Sequence, residues 1–211
     1  MRKFTTVFLI NSILVCAWVY MSYNNKQTVD INITVSEDVP QTTVTEAQEA
    51  LNIIPAKTLK RMSEDDWKIV LLNDFPDVTG YEHISDDSSV VGLINFEKKT
   101  ITVKGRPEYN GTVKNVMTHE LCHYIDQAGG WLSNEPEYAG LYEKYKNGKY
   151  LSYAYADITL TEAYTDDILY ATSSEKEFFA ETLKDYYMHQ SYLRENYEDI
   201  YQYYAAKGIG K

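Results

Sequence analysis

The spacing of apolar and polar positions divides the chain into a continuous apolar start, a polar stretch and a globular part. Within the globular part, a strand is predicted at Trp67–Leu72, and the β-rich runs Val90–Phe96 and Thr100–Lys104 predict a hairpin around a short polar turn. From Val113 onward the apolar positions recur at helical spacing, and the Gly129–Gly130 pair ends that first long helix. Further helices are predicted at 55–62, 135–145, 159–170, 174–187 and 192–206. A small sheet followed by a mainly helical C-terminal half is typical of the α+β class.

The N-terminus has the pattern of an export signal. Arg2 and Lys3 precede a stretch from Phe4 to Asn25 that carries no charge, as in a secretory signal peptide, and small residues allow cleavage after Ala17. The alternative is an uncleaved anchor, because the apolar run nearly reaches the roughly 20 residues that span a bilayer. Both alternatives place the domain outside the membrane, secreted or anchored at the cell surface. The predicted organisation is a signal peptide or anchor at 1–22, a flexible tether at 23–45 and one domain at 46–211.

Charge and cysteine content narrow the classes of partner. The net charge is −11, which repels nucleic acid phosphates and anionic lipid, so we expect no nucleic acid partner and membrane contact only through an N-terminal anchor. The two cysteines are Cys16 and Cys122. Removal of the N-terminal segment would leave Cys122 without an internal disulfide partner. We expect a monomer that acts on peptide or protein.

The sequence His119-Glu120-Leu121-Cys122-His123 carries the strongest chemical signal. On a helix, His119 and His123 lie one turn apart on the same face and can bind one metal ion. Glu120 lies beside that point, where it can serve as general base to a water molecule. This spacing predicts one Zn²⁺ per chain in a metallopeptidase active site.

Catalytic zinc needs a third protein ligand, and the sequence after His123 does not supply a third histidine. The candidates on later helices are Glu162, Glu175, Glu177 and Glu181. Glu177 and Glu181 are four residues apart and share a helix face, where they would repel each other unless a cation lies nearby. We therefore expect Glu177 to bind the metal and Glu181 to accept a hydrogen bond from the far nitrogen of a ligand histidine.

The two motifs, His119–Asp126 and Tyr170–Glu181, together resemble the catalytic domain of anthrax toxin lethal factor and the secreted Pro-Pro endopeptidases of Gram-positive bacteria. The resemblance implies a zincin-type domain with Glu177 as the third ligand. It also implies that Tyr170 stabilises the transition state and that proline-containing sequences are preferred. Asp126 is expected to help position the metal ligands without binding the metal itself. Cys122 departs from the family, whose members carry glycine there.

The predicted function is that of an extracellular zinc endopeptidase. Water activated by the metal attacks the scissile carbonyl, Glu120 transfers the proton to the leaving amine, and Tyr170 donates to the oxyanion. An extended substrate is expected to add to one strand of the Val90–Lys104 hairpin. The alternative is a surface-tethered binding or adhesion module with a structural or vestigial metal site, which would have no use for a general base at Glu120.

Overall fold

The computed structural model describes residues 15–22, 28–73, 91–105, 113–156 and 169–209. The strands are β1 (Val15–Ser22), β2 (Thr28–Val35), β3 (Lys68–Leu72), β4 (Gly92–Asn95) and β5 (Thr100–Lys104). The helices are α1 (Gln41–Ile53), α2 (Ala56–Glu64), α3 (Val113–Ala128), α4 (Pro136–Tyr145), α5 (Tyr153–Ala156), α6 (Glu175–Met188), α7 (Gln190–Asn196) and α8 (Glu198–Lys207), and a 3-10 turn at Leu132–Asn134 joins α3 to α4.

The strands form one mixed sheet in the order β1-β2-β3-β5-β4. The inner pairs β2–β3 and β3–β5 are parallel, while β1 and β4 pair antiparallel at the two edges. Neighbouring strands align Ile33, Ile69 and Ile101 in one row, and all three side chains are almost fully buried. Such a row lies on one face of the sheet, so this face forms part of the core.

Helix α3 occupies the centre of the molecule. It packs against α1, against β4 and β5, and against α6. The remaining helices build a tyrosine-rich second half, in which buried Tyr138 and Tyr204 each lie 2.7 Å from the Thr182 hydroxyl. Their rings fill the core while their hydroxyl groups form hydrogen bonds with one another and with Thr182.

The α+β prediction is confirmed: the sheet is small and mixed, and the C-terminal half is mainly helical. The predicted hairpin corresponds to β4 and β5, which pair antiparallel. The predicted helix at 159–170 falls mostly on residues 157–168, which lie outside the described part of the chain.

The predicted tether at 23–45 is wrong where the structure describes it. Thr28–Val35 forms β2, in the sheet between β1 and β3, and Gln41 already begins α1. Ile31 and Ile33 are each only 1% exposed, because pairing with β3 brings them into the core despite the polar residues around them.

The N-terminal signal or anchor remains a prediction. Residues 1–14 lie outside the described part, and Val15–Ser22 forms the edge strand β1. No helix within the described ranges has the length and apolar character needed to cross a bilayer.

The predicted single helix at 192–206 is divided into α7 and α8. Tyr197 interrupts it with φ −142° and ψ 56°. Its hydroxyl accepts a hydrogen bond from the backbone nitrogen of Leu151 at 2.9 Å, and its ring lies 4.8 Å from that of Tyr150. We attribute the break to these contacts, since the local sequence contains neither glycine nor proline.

Candidate metal centre

The two histidines of α3 converge as their spacing predicts. The Nε2 atoms of His119 and His123 lie 3.1 Å apart, and their rings meet edge to face. The helix is almost entirely buried along this stretch, so both imidazoles are held between the sheet and α6. One nitrogen of each ring is directed at the same point, where a metal ion is a natural partner.

Helix α6 supplies the third group. Glu177 lies in its first turn, where the Ser174 hydroxyl accepts a hydrogen bond from the Glu177 backbone nitrogen at 3.2 Å. The Glu177 Oε2 atom lies 3.1 Å from His119 Nε2 and 3.4 Å from His123 Nε2. Among the described residues, these three side chains form the group with metal-ligand geometry, and Glu175 and Glu181 are not part of it. The fourth candidate, Glu162, lies outside the described residues.

The size of this triangle can be compared with a metal site. A tetrahedral zinc ion with bonds of about 2.0–2.1 Å places neighbouring ligand atoms about 3.3 Å apart. The three observed edges are 3.1, 3.1 and 3.4 Å. Two imidazole nitrogens and one carboxylate oxygen are also the donor set of a catalytic site that leaves one position open. The residues therefore fit a bound divalent metal.

The electrostatics of the three groups favour a positive charge between them. Burial lowers the pKa of His119, but the hydrogen bonds with Glu177 and Glu181 outweigh burial and raise it to about 10. Burial likewise opposes ionisation of Glu177, yet its hydrogen bonds to His119 and His123 lower its pKa. The carboxylates thus favour a cation at this point, which a proton supplies in part and a metal ion can supply instead.

Glu181 holds the other side of His119. Its Oε2 atom lies 3.0 Å from His119 Nδ1, which leaves Nε2 directed at the metal position. A carboxylate at this nitrogen fixes the ring orientation and increases the basicity of the ligand. The geometry is the one expected for Glu181 from the sequence.

Lys184 completes this network, and the sequence analysis did not single it out. Its Nζ atom lies 2.5 Å from the Glu181 Oε1 atom, and Lys184 and Glu181 are 8% and 7% exposed. The signal available in the sequence is its spacing, because Lys184 lies three residues after an acid on the buried face of a helix. Its charge balances the second oxygen of the carboxylate that orients His119.

Glu120 and Tyr170 lie beside the triangle. The pKa of Glu120 is raised, because burial outweighs the opposing effect of His119 and His123. Burial and then the carboxylates of Glu177 and Glu120 raise the pKa of Tyr170, whose hydroxyl also interacts with Glu177 by hydrogen bonding. The residue as a whole is 57% exposed, so we place the ring at the mouth of the site and the hydroxyl towards the acids.

Asp126, expected to support the metal ligands, forms hydrogen bonds with Ser133. Its two carboxylate oxygens accept hydrogen bonds from the backbone nitrogen and the hydroxyl of Ser133, each at 2.7 Å. These bonds tie the C-terminal end of α3 to the 3-10 turn that follows. Asp126 therefore anchors the end of the helix that carries the ligands, and its two hydrogen-bonded oxygens are directed at Ser133.

Cys122 is not part of the group with metal-ligand geometry. It is fully buried, and the charged groups that act on it are Lys184, Glu181 and Asp185 of α6 and Glu120 of α3. Burial raises the pKa of its thiol, so at neutral pH the side chain is a small uncharged group between α3 and α6. The departure from glycine at this position leaves the three-residue ligand group intact.

Comparison with known proteins places this site in a family. The model of the glucose-regulated metallo-peptidase M90 family matches residues 90–207, more than half of the chain, and this span contains the whole ligand triangle. The chain belongs to this M90 metallopeptidase family. The search of curated proteins finds no match.

A solved structure supports the fold. The Pro-Pro endopeptidase of Paenibacillus alvei is similar with a TM-score of 0.57 and 18% identity, over 83% of this chain and 96% of that one. At this identity the likeness concerns the fold alone. The family match confirms the predicted metallopeptidase class, while the resemblance to lethal factor remains a prediction.

Proposed function

We propose that this M90 family member is a zinc-dependent endopeptidase. The observation that carries the proposal is the triangle of His119, His123 and Glu177, with edges close to those of a tetrahedral zinc site and with Glu120 beside it. A structural zinc site normally closes its coordination with four protein ligands. Three ligands next to a buried carboxylate favour a catalytic site over a binding module with a structural metal.

The roles of the side chains follow from their positions. Zinc held by His119, His123 and Glu177 would polarise the scissile carbonyl and lower the pKa of a water molecule. Glu120 accepts the proton of the attacking water and passes it to the leaving amine. Its raised pKa makes it a stronger base than an ordinary glutamate. The Tyr170 hydroxyl stays protonated at neutral pH and donates a hydrogen bond to the developing oxyanion.

The substrate is expected to bind as an added strand. β4 pairs with β5 on one side, and in the described part of the sheet no strand pairs with its other side. β4 also packs against α3, which carries Glu120. An extended peptide on this edge would form backbone hydrogen bonds next to the ligand triangle. A preference for proline-containing sequences is proposed by analogy with the similar solved structure.

We further propose that the domain acts outside the cytoplasmic membrane, either released or anchored, and as a monomer. The charge-free run after Arg2 and Lys3 supports this location. Cleavage after Ala17 would shorten β1, whereas β2 would keep its pairing with β3. Expression of the whole chain in a Gram-positive host, with assay of medium, membrane and cytoplasm, tests the proposal. Recovery of the chain in the cytoplasm alone would contradict it.

The activity can be tested with the purified chain. We expect close to one zinc per chain by elemental analysis, and cleavage of peptides from a library that includes Pro-Pro sequences, abolished by chelator and restored by zinc. Glu120→Gln should bind zinc normally and cleave nothing, because it lacks the base. Glu175→Gln, an acid in the first turn of α6 but outside the ligand group, is the matched control and should remain active.

Three results would contradict the proposal. Folded protein that was never exposed to chelator and contains no metal would exclude the metal site. Full turnover by Glu120→Gln would give this acid another role. Zinc binding with no cleavage of any library member by the unmodified chain would favour the alternative of a binding module.

A further inference from the structure

On the side of the sheet, the Glu120 carboxylate lies close to Gly92, a position without a side chain. Gly92 begins β4, where it pairs with Val103, and Ile94 pairs with Ile101 two residues later. Val103 and Ile101 are fully buried, and residues paired across an antiparallel sheet project to the same face. A side chain at position 92 would therefore project into the core, towards α3.

The space at this position is already occupied. A Cβ atom added to Gly92 would lie 2.6 Å from Glu120 Oε1 and 3.0 Å from Glu120 Cγ. It would also lie 2.6 Å from a methyl group of Val116, one turn earlier on α3. Real Cβ atoms essentially never approach other atoms this closely, so any larger residue would force the carboxylate, the helix or the strand to move.

Backbone conformation does not explain the glycine. The positive-φ glycines of the described chain are Gly130, Gly148 and Gly208, and Gly92 is not among them. An L-residue could adopt the backbone of Gly92 without strain. Glycine is required here because the carboxylate approaches the strand closely. Such close approach is one of the reasons for which glycine occurs within strands.

Resting on the proposed function, we propose that Gly92 is a positioning residue that sets the location of the Glu120 carboxylate. The Glu120 side chain has three rotatable bonds and is anchored to α3 only at its Cα atom. The backbone of β4 limits its movement on the side of the sheet, and Glu120 as a whole is only 8% exposed. The strand that would bind the substrate thus also holds the general base, so both are placed by the same element.

The expected size of the effect follows from the overlap. An ordinary contact begins at 3.4 Å, so an alanine at position 92 requires a displacement of about 0.8 Å relative to Glu120 Oε1. A misplacement of about 1 Å in a catalytic group can reduce the rate about 10²-fold. We expect Gly92→Ala to lower kcat by about 10- to 100-fold, with KM changed less than about 3-fold and one zinc per chain retained.

The test compares five forms of the full chain: unmodified, Gly92→Ala, Gly140→Ala, Glu120→Asp, and Gly92→Ala with Glu120→Asp. Gly140 lies in α4, where an added Cβ meets nothing within 4 Å, so Gly140→Ala controls for the substitution itself and should keep full activity. Aspartate is one methylene shorter and relieves the overlap. The effect of Glu120→Asp should therefore be at least 10-fold smaller in the alanine background than in the unmodified chain.

A structural readout accompanies the kinetics. Crystal structures of the unmodified chain and of Gly92→Ala should show the Glu120 carboxylate displaced relative to the two histidine rings. If Gly92→Ala does not fold, both measurements use the double variant Gly92→Ala with Val116→Ala. Val116→Ala removes one of the two overlaps.

Several outcomes would overturn the inference. These are unchanged kcat in Gly92→Ala, an increase in KM alone, additive effects of the two substitutions, or an unmoved carboxylate. An increase in KM alone would mean that the strand positions the substrate but not the base. Failure of the proposed function is distinguishable, since it would appear as an absence of chelator-sensitive cleavage by the unmodified chain.

Discussion

Replacing Lys184 with methionine measures how strongly the charge network behind the metal site stabilises the fold. The Lys184 ammonium group lies 2.5 Å from Glu181, and both residues are more than nine-tenths buried. Methionine keeps most of the apolar stem and removes the charge. Removing one partner of a buried ion pair typically costs about 3–5 kcal/mol, because the other charge is left uncompensated. His119 still contacts Glu181, so we expect the free energy of unfolding to fall by about 3 kcal/mol. This is a large part of the stability of an ordinary domain.

The assay is urea unfolding of the metal-free protein in the presence of chelator, because a bound metal would add its own stabilisation to the folded state. The matched control is Lys60→Met in α2. Lys60 forms an i,i+4 pair with Glu64 at 3.7 Å, but its side chain is 58% exposed. Such exposed pairs contribute about 0–1 kcal/mol, so this variant should unfold close to the unmodified protein.

A second variant separates charge from packing. Lys184→Met combined with Glu181→Gln removes both charges and should be at least as stable as Lys184→Met alone. A loss below about 1 kcal/mol in Lys184→Met would show that Lys184 does not neutralise Glu181 in the folded protein. A double variant less stable than the single one would show that the carboxylate tolerates burial without the lysine.

Two further predictions concern the acids and the tyrosine of the site. Glu177→Ala should lose most bound zinc, whereas Glu181→Ala should bind it about 10- to 100-fold more weakly, as for groups that orient a ligand. Titration of both variants against a competing chelator measures the order, and the opposite order would reverse the two roles. Tyr170→Phe should retain zinc and lower kcat by about 10²–10³, the usual effect of losing one oxyanion donor. An unchanged rate in peptide cleavage would assign Tyr170 to packing.

The sequence alone was sufficient for the local part of the site. Spacing of four residues places His119 and His123 on one helical face, and the same spacing relates Glu177 to Glu181. These relations depend only on helix geometry, so they survive in any fold that keeps both helices. The α+β class followed equally from local periods, short β-rich runs before residue 105 and helical spacing after residue 113.

Expectations that depended on distant partners were less successful. Thr28–Val35 alternates polar and apolar residues, yet its polar content favours a tether, and only pairing with β3 shows that Ile31 and Ile33 are buried. The break at Tyr197 likewise depends on Leu151 and Tyr150, more than 40 residues earlier in the chain. Local propensity contains no information about such pairings.

The tertiary structure alone decided how the motifs combine. Packing of α3 against α6 brings Glu177 within 3.4 Å of both histidines, and of the described acids this is the one that joins them in a group with metal-ligand geometry. The 3-10 turn after α3 places Ser133 against Asp126. The approach of β4 to α3 places Gly92 against Glu120, a contact between residues 28 positions apart. Sequence spacing determines which side chains share a face of one element, whereas the distance between two elements is set by the side chains that fill the space between them.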